Sequence, residues 1–372
     1  MKVAVITLHA VQNYGSVLQA LATQELLKQC GFEVEIINYI REDVRYEKLL
    51  QTRSGGSFLK KVVLYPTIKR YKTVFKSFCS EYLNLTEDIY TTENDFEQHP
   101  LQADVFCTGS DQVWNSKWNK GILPCLYLGF VPSDKFKFSF SASFGQERLD
   151  ESEVEQTRKY IEQYNYISVR ESSAVKILSE QYGVKNAVQV LDPTLTMDAE
   201  FWRKYEGKRR VAGEYILIYN LNRSVQFDRY AKKLSKKTSI PIIRLCTRYD
   251  QFYRAGKSIL IPEISDFISL IDNAKYVLTD SFHATAFSMN MNTEPICIYP
   301  TEFGGRLESF LQLIDSQQRH VKDYNDFDVI ERHVDFPKVN SILEIERKKT
   351  RNFLDMVLQS AKEYSQKGSG TR

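Results

Sequence analysis

The chain has 372 residues, of which 42% are hydrophobic and 26% charged, the balance of an ordinary globular protein. At roughly 100–200 residues per domain, two domains are expected, and such a length buries a large core without staples. The formal net charge of +3 argues against a dedicated nucleic-acid binder, which would carry a strong basic excess, but leaves room for a small anionic substrate held by a few local cations.

The first forty residues read as a βαβ unit. Lys2–Leu8 is an apolar strand, His9–Gly15 a polar turn, and Ser16–Cys30 a helix with Leu18, Leu21, Ala22 and Leu26 near one face. Gly31 then stands at the usual position after a helix end, and Glu33–Tyr39 is a second strand. Residues 41–100 are less regular, with Gly55-Gly56 in a loop and many lysines and aromatics over Lys60–Tyr82. Strands are expected again at Asp104–Thr108, Lys137–Ala142, Tyr166–Val169 and Val188–Leu191, with helices at Glu151–Tyr164 and Ser172–Tyr182.

Pro193, the charged run Arg203–Arg210 and Gly213 mark a boundary. A second series follows, with strands at Tyr215–Asn220, Pro241–Cys246, Ser258–Ile261, Tyr276–Thr279 and Pro295–Tyr299. Helices are expected between them at Val225–Lys237, Ile264–Asn273, Ser281–Met291 and Leu307–Ile314, and a long amphipathic helix at Asn340–Gln366. The expected divisions are 1–200, 201–340 and a C-terminal helix and tail over 341–372 that packs back on the first domain. Alternating strands and helices predict an α/β fold with two open, mostly parallel sheets. Ligands in such folds sit beyond the carboxyl ends of the strands.

That rule selects a few corners. Thr279-Asp280-Ser281-Phe282-His283 is a strand end running straight into a helix, with Ser281 placed to cap it and His283 in its first turn. A capping histidine is the plainer reading of the same residue. In Gly109-Ser110-Asp111-Gln112, glycine permits close backbone approach and Asp111 is a candidate base, although Ser110 or Asp111 also reads as a simple helix cap. The turn Gln12-Asn13-Tyr14-Gly15 lacks the spacing of a dinucleotide or nucleotide-phosphate loop. Arg170 ends a strand, where a guanidinium suits a carboxylate or phosphate but equally a structural pair with a neighbouring Glu. Arg306 follows Gly304-Gly305 and is similarly available to an anion. The six cysteines and five histidines are scattered without metal-ligand spacing, so no metal site is expected and the cysteines read as reduced structural thiols. The N-terminal apolar run is too short for a signal peptide, and no stretch reaches the roughly 20 apolar residues of a membrane helix, so a cytoplasmic protein is expected.

Six segments in order resemble the polysaccharide pyruvyl transferase family: Asn13–Ala20, Gly109–Asn115, Ser141–Gly145, Ile167–Glu171, Leu191–Thr194 and Thr279–Thr285. The resemblance implies two Rossmann-like domains with mostly parallel sheets facing a cleft, in a GT-B-like arrangement. It implies phosphoenolpyruvate as donor substrate, no separate cofactor, and a saccharide acceptor that becomes a cyclic pyruvate ketal in surface polysaccharide biosynthesis. Arg170 and the segment Ser281-Phe282-His283 occupy the positions associated with phosphoenolpyruvate. Many members carry Arg-Leu-His where this chain has Ser281-Phe282-His283, so either Arg306 or a nearby lysine supplies the replaced cation, or the donor differs. On this reading His283 and Asp111 are catalytic, and Arg170, Ser281, Phe282, Arg306, Asn13, Tyr14, Gly109, Ser110 and Gln112 bind substrate. An acceptor carried on lipid would place the protein at the inner membrane face, touching it through the lysines and aromatics of Lys60–Tyr82, although a solvated amphipathic helix is the plainer reading of that stretch. Two other classes share these features: a nucleotide-sugar glycosyltransferase, with Glu302 or Glu308 as its ribose-binding residue, and a non-catalytic saccharide- or protein-binding member.

Overall fold

The computed structural model describes residues 1–222, 224–300 and 304–369. Two compact units divide them. The first comprises Met1–Arg45, Phe78–Thr196 and the chain from Glu344 onward; the second comprises Tyr46–Ser77 and Met197–Leu343. The segment 46–77, which its sequence position places in the first domain, therefore belongs to the second unit. No described helix is long and apolar enough to cross a membrane.

The first unit is built on a seven-stranded sheet: β1 (Lys2–Ile6), β2 (Glu33–Tyr39), β3 (Leu85–Tyr90), β4 (Val105–Thr108), β5 (Phe136–Ala142), β6 (Tyr166–Val169) and β7 (Val188–Gln189). Its order is β3-β2-β1-β4-β5-β6-β7, and every pairing is parallel. Strands covered on both faces must be apolar throughout, and Val3, Ala4, Val5 and Ile6 are all fully buried. The sequence reading misses β3. It is an edge strand whose Glu87, Asp88 and Ile89 are exposed, so it lacks a continuous apolar run. The helix Tyr14–Gln29 is buried nearly all round rather than on one stripe, and several of its polar residues bond inside. Gln19, for example, donates to the Thr7 hydroxyl at 2.9 Å. Gly31 ends that helix at φ +94°, a left-handed conformation that favours glycine.

The long helix Phe336–Ser369 contributes its later turns to the first unit. Arg347 Nε donates to the Leu195 carbonyl at 2.9 Å, and the Tyr166 and Ser360 hydroxyls are 2.8 Å apart. Phe353, Leu354, Val357 and Ala361 are buried on its inner face.

The second unit holds a five-stranded sheet: β8 (Ile216–Tyr219), β9 (Ile242–Cys246), β10 (Lys257–Leu260), β11 (Tyr276–Thr279) and β12 (Glu294–Cys297). Its order is β10-β9-β8-β11-β12, again all parallel. Ile216, Ile218, Leu278 and Ile296 pack with Phe227, Tyr230, Ala231 and Leu234 of the helix Val225–Thr238. In both sheets the first strand of the unit lies inside, and the chain winds outward from it in both directions. The strand pairs β1/β4 and β8/β11 are thus the topological switch points, where open parallel sheets leave a crevice. Residues 46–71 form two helices, Tyr46–Ser54 and Phe58–Tyr71, in a stretch whose sequence looks irregular.

Ile218 is fully buried on the central strand of the second sheet. Ile218→Ala is expected to cost about 2–5 kcal/mol through lost burial and a residual cavity, seen as a lowered urea midpoint.

Candidate functional site

In the first unit, β1 and β4 end side by side. The Thr7 hydroxyl donates to the Ser110 carbonyl at 2.9 Å, and Gly109 N donates to the Ile6 carbonyl at 2.8 Å. A Cβ on Gly109 would lie 3.0 Å from the Thr7 Cβ, so the close approach of these strand ends calls for glycine. Asp111 follows at φ +74°, with its carboxylate accepting from Ser16 Oγ at 2.6 Å and from Gln112 N at 2.9 Å. Asn13 caps the helix Tyr14–Gln29 by accepting from Gly15 N, and Tyr14 is a core residue, 1% exposed. Gln112 accepts from Asn115 Nδ2 at 2.6 Å, and the Ser110 hydroxyl is buried 3.4 Å from that of Ser141.

Arg170 lies at the centre of this arrangement. Its Nη1 donates to Asp192 at 2.6 Å, while Glu171 and Asp111 stand 3.7 and 3.8 Å from its other nitrogens. Burial acts against its charge, but Asp192, Glu171 and Asp111 outweigh that and hold the guanidinium above its ordinary pKa. Glu171 in turn accepts from Ser143 Oγ and Gly145 N, and Asp192 from the backbone and hydroxyl of Thr194. The structure therefore brings Asp111 and Arg170 together, as neighbours in an internal ion cluster. Three carboxylates thus surround the charge that the sequence reading assigns to an anionic ligand. Asn13, Gly109, Ser110 and Gln112 lie at the same switch point, each bonded to a neighbouring residue, and Tyr14 is buried beside them.

The second unit's switch point is organised by Asp280. One oxygen accepts from Leu221 N at 2.7 Å; the other accepts from Asn222 N, Asn220 Nδ2 and Asn222 Nδ2, each at 2.9 Å. Burial is the strongest influence on this carboxyl and pushes its pKa up, against the pull of those donors. Thr279 Oγ1 donates to the Tyr219 carbonyl at 2.6 Å and accepts from Ser281 N at 3.0 Å, fixing the turn. Ser281 caps the helix Phe282–Asn290, its Oγ accepting from Ala284 N. His283 is in the first turn, 6% exposed, with its ring 5.3 Å from that of Phe282 in an edge-to-face arrangement. The Arg306 guanidinium sits over the Phe282 ring at 6.0 Å, and Phe310 packs on the same ring. Ser281, Phe282, His283 and Arg306 thus form one group: a helix start, an imidazole and a cation held by an aromatic spacer.

Beside Asp280 lies a cleft of about 720 Å³ within the second unit. Asn220, Asn222 and Asp280 line it, together with Tyr299, His320 and Lys322. The Tyr299 and His320 rings are stacked, with centroids 3.4 Å apart and planes 7° from parallel. Burial, and secondarily the Lys322 charge, lower the His320 pKa from 6.5 to about 4. Sequence reasoning misses this wall, since His320 reads as a lone histidine on a loop. The one available signal is its nearness to the last strand, where Val321 N donates to the Cys297 carbonyl. Of the alternative acidic candidates, Glu308 is exposed in the helix Gly305–Leu313, and Glu302 lies outside the described residues.

A family model described as polysaccharide pyruvyl transferase matches residues 13–302. No curated protein matches the sequence. Among solved structures, a UDP-N-acetylglucosamine 2-epimerase from Rickettsia bellii is similar with a TM-score of 0.57 and 11% identity, over 98% of this chain and 97% of that one. UGT89C1 from Arabidopsis thaliana in complex with UDP is similar with a TM-score of 0.51 and 10% identity, over 97% and 99%. At such identities the likeness shows the fold, the α/β architecture with two mostly parallel sheets of the GT-B glycosyltransferases and epimerases.

Two predictions follow from this geometry. Asp192→Ala removes the closest counter-charge of a buried guanidinium and is expected to destabilise the protein by about 3–5 kcal/mol, measured by urea denaturation. His320 has a folded pKa below its unfolded value, so the unfolded chain binds the extra proton between 6.5 and about 4. Stability is therefore expected to fall as pH drops through that window, and a His320→Asn variant is expected to show a shallower fall in its denaturation midpoint.

Proposed function

The chain belongs to the polysaccharide pyruvyl transferase family, and from that premise we propose that it transfers pyruvate from phosphoenolpyruvate to a saccharide, forming a ketal during surface polysaccharide synthesis. The observation that carries this reading is the grouping of Ser281, Phe282, His283 and Arg306 at the helix start beyond β11. A donor with both a carboxylate and a phosphate needs separate positive features. The positive end of the dipole of the helix Phe282–Asn290 supplies one, and Arg306 supplies the other. Ser281 and Phe282 stand where many members carry Arg and Leu, and the cation over the Phe282 ring compensates for the one replaced.

The proposed chemistry is as follows. A proton from His283 adds to the methylene carbon of the donor, leaving C2 electron-poor. One sugar hydroxyl bonds to C2; a second then bonds to it as the C2–O bond to phosphate breaks. Two hydroxyl protons are released in all. One balances the proton placed on the methyl group, and the other leaves on phosphate. A positioned acid contributes roughly 10²–10⁴-fold to such a step. Arg170 orders the first unit's motifs through its pairing with Asp192, Glu171 and Asp111.

A nucleotide-sugar transferase is the second reading, favoured by the cleft with its Tyr299–His320 stack, a flat platform of the kind on which a base can lie. Thermal-shift titration with phosphoenolpyruvate and with UDP-sugars separates the two. Stabilisation by phosphoenolpyruvate alone supports pyruvyl transfer, and stabilisation by the nucleotide sugars alone replaces it.

His283→Ala is expected to lower kcat by about 10²–10⁴-fold, measured as pyruvate ketal formed on acceptor glycan by mass spectrometry. Near-normal turnover would remove the histidine from the mechanism. Arg306→Gln is expected chiefly to raise the KM for phosphoenolpyruvate, by roughly tenfold or more for a lost charge-assisted contact.

A further inference from the structure

The helical hairpin of the second unit is anchored on one side and unpartnered on the other. Leu64, Thr67, Ile68 and Tyr71 of the helix Phe58–Tyr71 are buried. Tyr71 Oη donates to the Thr247 carbonyl at 2.6 Å, Thr67 Oγ1 accepts from Tyr249 N at 3.1 Å, and Arg70 pairs with Glu263 at 2.7 Å. The opposite face carries Phe58 and Leu59, which are 76% and 77% exposed, and Val62 and Val63 at 58% and 59%. These four repeat at the i, i+4 spacing of a single helix face, and they begin directly after the Gly55-Gly56 turn, at the tip of the hairpin. Isolated exposed apolar side chains are ordinary; a contiguous row at a tip marks an interaction site.

Charge identifies what the row meets. Residues 46–76 contain eight Lys and Arg against the single acidic Glu47, a net of +7 in a chain whose total is +3, so the remaining residues sum to −4. Lys60, Lys69, Lys72 and Lys76 are exposed around the apolar row. An exposed apolar stripe flanked by lysines is the composition of a helix that lies in the interface of an anionic bilayer, with apolar side chains at the headgroup–acyl boundary and ammonium groups among the phosphates. Of the wider stretch Lys60–Tyr82, the residues Tyr71, Phe75 and Phe78 are buried, so the usable apolar surface lies at Phe58–Val63.

We propose that the hairpin tip Phe58–Val63, with its surrounding lysines, docks the second unit onto an anionic membrane surface. The proposal is independent of the donor and acceptor assigned above. It is tested by co-sedimentation of the full chain with vesicles of phosphatidylcholine alone, and with vesicles in which about a third of the lipid is phosphatidylglycerol. Wild type is expected to pellet with the anionic vesicles only, and less at high salt. The double substitution Phe58→Ser and Leu59→Ser is expected to weaken binding by about tenfold or more. Lys60→Glu with Lys61→Glu is expected to weaken it by at least about fivefold per lysine. Phe58, Leu59 and Lys60 are exposed and Lys61 is half-buried at the surface, and both variants are expected to keep the wild-type melting temperature. Wild type remaining in the supernatant with anionic vesicles at low salt overturns the proposal, as does wild-type pelleting by both variants. A dimer that forms without vesicles and is lost in the Phe58→Ser, Leu59→Ser variant, with no pelleting, assigns the face to a second copy instead.

Discussion

A parallel sheet that winds outward from an internal strand leaves, at that strand's carboxyl end, two neighbouring chain ends that diverge to opposite faces. Their backbone groups must be satisfied without help from a crossover helix. Both units meet this constraint at β1/β4 and at β8/β11. Each does so with a strand-end threonine and a carboxylate: Thr7 and Asp111 in the first unit, Thr279 and Asp280 in the second. The placement of the motif residues follows from how those groups are tied.

The two switch points are filled differently. In the first unit the polar groups answer one another: Arg170 is shared among Asp192, Glu171 and Asp111, and those carboxylates are taken up by hydroxyls and amides nearby. In the second unit Asp280 gathers the Asn220–Asn222 loop, and a cleft opens beside it with an aromatic stack and a lysine on its walls. His283 stands on the helix that starts next to Asp280, and Arg306, on the helix Gly305–Leu313, lies over the ring of its neighbour Phe282. Small-molecule sites combine apolar walls with a few fixed polar groups, and the second unit has that combination.

The alternation of strands and helices was legible because buried parallel strands are continuous apolar runs; Ile216–Tyr219 and Tyr276–Thr279 are buried at every position. The corner after β11 was legible for a local reason, since Ser281 directly before a helical pattern is a cap signal. Three features were not. The strand β3 lies at an edge and alternates with exposed acids. The hairpin 46–71 turns apolar residues outward, so its pattern does not follow the usual rule relating hydrophobicity to burial. The surroundings of Arg170 depend on Asp192, which is 22 residues away in sequence and 2.6 Å away in space. A strand-end arginine looks the same in sequence whether it faces a ligand or three carboxylates.

Neither unit is made from one continuous stretch of chain. Residues 46–77 leave the first unit for the second before the first sheet has received β3, and the first unit takes back the chain only from Glu344. During synthesis, then, the first sheet emerges early but lacks the helix that covers Leu191 and Leu195 until the chain beyond Glu344 has been made. Domains ordinarily complete themselves in the order they leave the ribosome. Here the unit that starts first finishes last, and a fragment cut at the boundary near residue 196 would lack part of one core and carry an orphaned piece of the other.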